Sequence, residues 1–194
     1  GAAGAVDYII PLVLQDRMFN TAGQLVFPNL GINPTMHPFW IPEFVGDTIM
    51  VNGKVWPTLG TAAAPIAAKR YRFLFLNGSN ARTYELSLFN QVTGANGPPM
   101  WVIGTDGGYL DAPAKIDPAL GQKLLIMPGE RYDVIIDFAG LLPGNYIMTN
   151  SGKTPYPRGA QPAGATLGRI VQFRVAALAP GVVDNSYNPA AVGA

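Results

Sequence analysis

Apolar residues in this sequence come in short bursts that alternate with polar ones. Tyr132, Val134, Ile136 and Phe138 fall on one face of a run whose other face carries Asp133 and Asp137. A period of two is that of a strand with one buried face. The same alternation places Tyr84, Leu86 and Leu88 against Glu85 and Ser87, and Val171, Phe173 and Val175 against Gln172 and Arg174. Tyr71, Phe73 and Phe75 form one face of another strand. Gly (23) and Pro (18) punctuate the intervals, and both end regular elements at turns. No stretch holds a long 3.6-residue apolar period, and Pro65 interrupts the alanine-rich residues 62–68. Further strands are predicted at residues 9–15, 48–51, 55–56, 100–105, 123–127 and 146–150. Asn52-Gly53 suits a two-residue hairpin because both positions tolerate positive φ. Ten or so short strands at this spacing predict an all-β chain, a Greek-key sandwich or barrel.

A length of 194 residues suits one domain with a substantial core. Only 13% of residues are charged against 48% hydrophobic, the reverse of a disordered composition. A net charge of +1, with scattered basic residues, gives no electrostatic case for nucleic acid or an anionic membrane. No apolar run approaches the ~18 residues of a membrane helix. Residues 1–7 and 177–194 are small, Ala-, Pro- and Gly-rich and aperiodic, and are read as linkers flanking a domain at 8–176. A start at Gly1, without methionine or signal peptide, is read as a piece of a longer chain.

His37 is the only histidine and there is no cysteine. A metal centre needs several converging donors, so His37 is read as a loop residue. The serines have no second histidine to serve as base, and Asn77-Gly78-Ser79-Asn80 lacks the second glycine of a nucleophile elbow. Asp106, Asp111 and Asp117 fit no calcium-loop spacing. Asp106-Gly107-Gly108 is read as a tight turn with Asp106 bonding its own backbone. Glu130-Arg131 and Asp16-Arg17 are read as structural ion pairs or backbone contacts. Trp40, Trp56 and Trp101 allow a sugar-stacking platform but are expected in the core. Residues 90–99 and 154–159 are read as surface loops without a role.

Six segments in order resemble one family: PLVLQDR (11–17), PEFVGDTIMVNGKVWP (42–57), YRFLFLNGSNAR (71–82), IGTDGG (103–108), PGERYDVIIDF (128–138) and IVQFRV (170–175). Together they are similar to the middle domain of three-domain multicopper oxidases, in the group of spore-coat laccase, bilirubin oxidase and phenoxazinone synthase. The resemblance spans about residues 8–175. It implies a cupredoxin-like fold and a parent that couples oxidation of phenolic or aryl-amine donors to reduction of dioxygen to water. Copper ligands in this family lie in the first and third domains, on His-x-His, His-x-x-His-x-His and His-Cys-His motifs absent here. The resemblance therefore implies no metal and no catalytic residue in this chain, which alone is expected to be inactive. Its implied partners are the flanking cupredoxin domains and, in the parent, a small aromatic donor. Exposed interdomain surfaces open a route to a homo-oligomer. Export from the cell follows from the family alone.

In the spore-coat type the middle domain also gives one wall of the donor cleft. The matching positions here are Pro42, Glu43 and Ala81, with Glu43 read as an ordinary rim charge rather than an attractor of cationic or hydrogen-bonding donors. Two other readings remain open at this stage: a domain of a copper-free relative serving as an envelope scaffold, and a carbohydrate-binding sandwich. The second predicts a solvent-facing aromatic patch.

Overall fold

The computed structural model describes residues 8–27 and 43–191; His37, Trp40 and Pro42 lie outside them. The described residues hold thirteen strands: β1 (Ile9–Arg17), β2 (Thr48–Val51), β3 (Lys54–Val55), β4 (Thr58–Leu59), β5 (Ile66–Ala67), β6 (Arg70–Asn77), β7 (Tyr84–Asn90), β8 (Met100–Thr105), β9 (Gly108–Ile116), β10 (Leu124–Ile126), β11 (Arg131–Asp137), β12 (Gly144–Asn150) and β13 (Arg169–Ala176). Among the described residues there is no α-helix, only 3-10 turns at Pro118–Leu120 and Pro189–Ala191.

The strands form two sheets. One runs β3-β2-β1-β6-β11-β8-β9, the other β10-β7-β12-β13-β4 with β5 also paired to β13. After β6 the chain passes repeatedly from one sheet to the other, so β1-β6-β11-β8 in the first sheet and β10-β7-β12 in the second pair strands distant in sequence. The alternation sets which side chains meet between the layers. Phe73, Phe75, Val134, Ile136, Met100 and Val102 face inward from the first sheet, and all are buried. Leu86, Leu88, Met148, Val171 and Phe173 meet them from the second. Phe173 packs edge-on against Phe73, with centroids 5.6 Å apart, and tilted against Phe138 at 5.3 Å. Full burial of one such ring contributes about 1.5–3 kcal/mol.

The hairpin forms as its sequence requires: Asn52 and Gly53 adopt φ of 50° and 77°. The Asn52 side chain adds a function that the turn alone does not need. Its Oδ1 accepts from Val13 N and its Nδ2 donates to Pro11 O, both at 2.8 Å. The turn between β2 and β3 is thereby tied to β1.

Three elements depart from the sequence expectation. β9 was not expected as a strand; it is a nine-residue edge strand with mostly exposed side chains. With no buried face it has no period-two signal, and its Pro113 is tolerated at an edge. β4 and β5 are two residues each, too short for periodicity, and pair in parallel with β13. Gln172, expected on the solvent face of β13, is buried at 7% exposure.

Candidate functional site

Arg82 organises one end of the sandwich. Its guanidinium is 2% exposed and meets the fully buried Asp16, with Nε donating to Oδ2 at 3.0 Å. Nη2 donates to Gly46 O and Nη1 to Thr154 Oγ1 at 3.1 Å. Asp16 Oδ2 also accepts from Gly46 N at 2.7 Å. One side chain thus joins the end of β1, the loop before β2 and the loop after β12. The bonds to the Asp16 carboxylate all reach Oδ2 and leave Oδ1 buried without a hydrogen-bond partner among the described residues, so the ion pair is held by Coulomb attraction and by one fully satisfied oxygen. Gly46 is required by a separate close approach to the β1 backbone, since a Cβ there would lie 2.5 Å from Arg17 N.

A second junction lies beside it. Asn77 Nδ2 donates to Arg82 O at 2.8 Å and Ile126 O at 3.0 Å, and its Oδ1 accepts from Ser79 N. Ser79 Oγ accepts from Asp16 N and shares a 2.8 Å hydrogen bond with Tyr84 Oη. Ser79 is consumed by this buried network. Burial pushes the Tyr84 phenol well above the ordinary tyrosine range, and the Ser79 hydrogen bond only partly opposes it.

Above these junctions opens a cleft of about 590 Å³. Glu43 and Ala81, 38 positions apart, both line it, together with Phe44, Asn80, Met127 and Tyr156. Phe27 stacks on Phe44 with centroids 5.2 Å apart at its rim. Pro42, the third position carried over from the resemblance, lies outside the described residues. Sequence reasoning missed Arg82, which holds the walls, and it read residues 154–159 as a loop without a role. Pro155 and Tyr156 are instead one wall of the cleft. The bond that places them spans 72 positions, so no local pattern announces it.

The other polar candidates have structural partners. Asp106 does not bond its own turn; it accepts from Arg131 N and forms an ion pair with Arg131 Nε at 2.7 Å. The turn brings it beside β11, where a guanidinium outcompetes neighbouring amides. Asp117 caps the 3-10 turn through Ala119 N and takes Lys115 Nζ at 2.7 Å. These contacts, Lys115 foremost, hold its carboxyl below the usual range. Trp56 and Trp101 are half-buried. Each has a cation over its ring, Arg169 at 5.1 Å and Lys115 at 5.9 Å.

The outward face of the first sheet carries a second cavity of about 810 Å³. Arg72 forks onto Asp133 there and donates to Tyr109 Oη at 2.8 Å. A strap after β13 crosses this face. Arg70 N donates to Asp184 Oδ2 at 2.8 Å, and the Arg70 guanidinium donates to Ser186 Oγ and to the carbonyls of Asp184 and Ser186. Tyr109, Val183 and Tyr187 remain exposed around it.

Comparison with known proteins decides the family. The multicopper oxidase family model matches residues 32–171. The chain belongs to the multicopper oxidase family. It is 38% identical over 172 residues to a laccase of Bacillus subtilis (strain 168), covering 87% of this chain and 30% of that protein. It is 37% identical over 162 residues to rice multicopper oxidase LPR1 homolog 1, covering 84% of this chain and 25% of that one. The crystal structure of McoA multicopper oxidase 2F4 variant from Aquifex aeolicus superposes with a TM-score of 0.66 at 32% identity, over 94% of this chain and 33% of that chain. This multicopper oxidase domain thus spans about a quarter to a third of the relatives it matches. Its residues do not fit the metal of its family. Among the described residues no three His, Cys, Asp or Glu side chains converge to hold an ion. The sequence offers one imidazole and no thiolate, too few for a copper centre.

Proposed function

We propose that this chain is the copper-free middle domain of a three-domain multicopper oxidase in the spore-coat laccase, bilirubin oxidase and phenoxazinone synthase group. It bridges the two copper-bearing domains and forms one wall of the cleft where the parent receives a small phenolic or aryl-amine donor. The observation that carries this reading is the donor shortage in a member of this family: one histidine and no cysteine in 194 residues. The wall assignment draws support from Glu43 and Ala81 lining one cleft, and from the Arg82 network beneath it. Rigidity there matters, because a misplacement of about 1 Å in a site assembled from separate parts costs ~100-fold in rate.

The flanking domains are the natural occupants of the outward sheet face, whose exposed Tyr109, Val183 and Tyr187 suit burial against a neighbour. The same surface lets the isolated domain self-associate. Metal analysis of the full-length protein and of this 194-residue chain, grown with copper and purified alike, tests the reading. The full-length protein is expected to carry copper, show a type 1 absorption band and consume dioxygen with a phenol. The 194-residue chain is expected to carry none. Tight stoichiometric copper in the short chain overturns the proposal. So does a parent sequence without a His-Cys-His motif, which returns the protein to a copper-free scaffold.

A further inference from the structure

We propose that Glu43 makes the cleft selective for aromatic donors that carry a positive charge. The inference rests on the reading of this cleft as the donor site and adds the residue that sets its preference. Among the described lining residues Glu43 alone bears a formal charge. It is exposed at the mouth, where a carboxylate stays solvated and acts on whatever enters. Beneath it, Arg82 is paired with Asp16 within the buried network, and Arg17, which donates to the Asp16 carbonyl, does not line the cleft. The one formal charge in direct contact with a ligand on the described walls is therefore that of Glu43.

The walls favour the same ligand. Phe27 and Phe44 stack at the rim and Tyr156 stands on the opposite loop. Aromatic faces attract a cation through their quadrupole and accept a flat ring by stacking. A ring with an attached ammonium group satisfies both surfaces at once. A neutral ring gains only the stacking, and a sulfonated ring meets a like charge.

The test uses redox-inert probes, so that it does not depend on turnover. The full-length protein is titrated with benzyltrimethylammonium, and with benzyl alcohol as the uncharged ring, by ligand-observed NMR. Glu43→Gln is expected to weaken the cation about fivefold, the size of one exposed charge pair, and to leave benzyl alcohol within about twofold. Glu43→Lys is expected to weaken the cation further. Salt at 0.5 M is expected to shrink the preference of the wild type and not of Glu43→Gln. Ala81→Trp fills the cleft and is expected to weaken both probes. If Ala81→Trp weakens both while Glu43→Gln changes neither, or changes both equally, the charge proposal fails and the cleft stands. If neither probe responds to Ala81→Trp, the cleft reading fails and the proposal with it. Absence of saturable cation binding to the wild type also overturns it.

Discussion

Arg82 Nε and Asp16 Oδ2 meet at 3.0 Å across 66 positions of sequence, with side chains 2% and 0% exposed. The pair fastens three segments at one point: the end of β1, the Gly46 loop that leads into β2, and the Thr154 loop. Two of those segments carry walls of the cleft. Stability and the shape of the cleft therefore depend on the same two side chains.

Arg82→Met leaves the Asp16 carboxylate buried and without its counter-ion. The expected cost is about 3–5 kcal/mol, read as a lower urea midpoint at an unchanged slope. Replacing both residues, Asp16→Leu with Arg82→Met, is expected to cost less than the sum of the single changes, because no charge is then left stranded.

Gly46→Ala drives a methyl group to 2.5 Å from Arg17 N and 2.6 Å from Arg17 O. Backbone on both sides does not yield easily, so a loss of about 1–3 kcal/mol or more is expected. Gly107→Ala has open space around the new methyl and is expected to stay within about 0.5 kcal/mol of the wild type. Thermal unfolding of the two variants side by side checks the contrast.

Alkali should destabilise the domain through Tyr84. Burial raises its phenol above its ordinary value of 10.0 in the folded state. The unfolded chain therefore loses this proton first as pH rises. The stability held in the neutral phenol is complete below about pH 10 and is lost progressively above it. Tyr84→Phe is expected to be about 1 kcal/mol less stable at pH 8, from the lost Ser79 hydrogen bond. It should also show a flatter fall between pH 10 and 11.5. Urea unfolding at those values is the measurement.

The strap across the outward face should loosen in acid. Burial pushes the Asp184 carboxyl up, but hydrogen bonds from Ser186 and from Arg70 N outweigh it and leave it below its ordinary range. A depressed folded-state value means the contribution is present above the unfolded value near 4 and is lost as pH falls through the folded one. Hydrogen exchange of residues 182–187 is expected to quicken between pH 5 and 3, once corrected for the intrinsic pH dependence. In Asp184→Asn it is expected to be fast already at pH 7.

Much of the architecture was legible because burial on one face writes itself into sequence as alternation. The runs around Phe73, Leu86, Val134 and Phe173 became strands with those residues in the core. The Asn52-Gly53 turn was legible because few residues tolerate its φ values. β9 was hidden for the opposite reason: an exposed edge imposes no pattern. At the cleft, Glu43 and Ala81 were nameable only through resemblance to a family. That they line one cavity depends on long-range hydrogen bonds that no local window records. Arg82 was invisible as a hub because an arginine after a turn is ordinarily a solvated one.

β1 lies inside its sheet, between β2 and β6, although it is made before either of them. Its Asp16 waits for an arginine 66 residues downstream. At ~5–20 residues per second on the ribosome that is a delay of roughly 3–13 s. For the first part of it, until β2 emerges, the strand hangs outside the exit tunnel with both edges open, and until β6 emerges one edge still is. Growing cells must shelter this stretch until β6 and the turn after it emerge, so slowed translation between β1 and β6 will lower the yield of soluble protein more than an equal pause after β13.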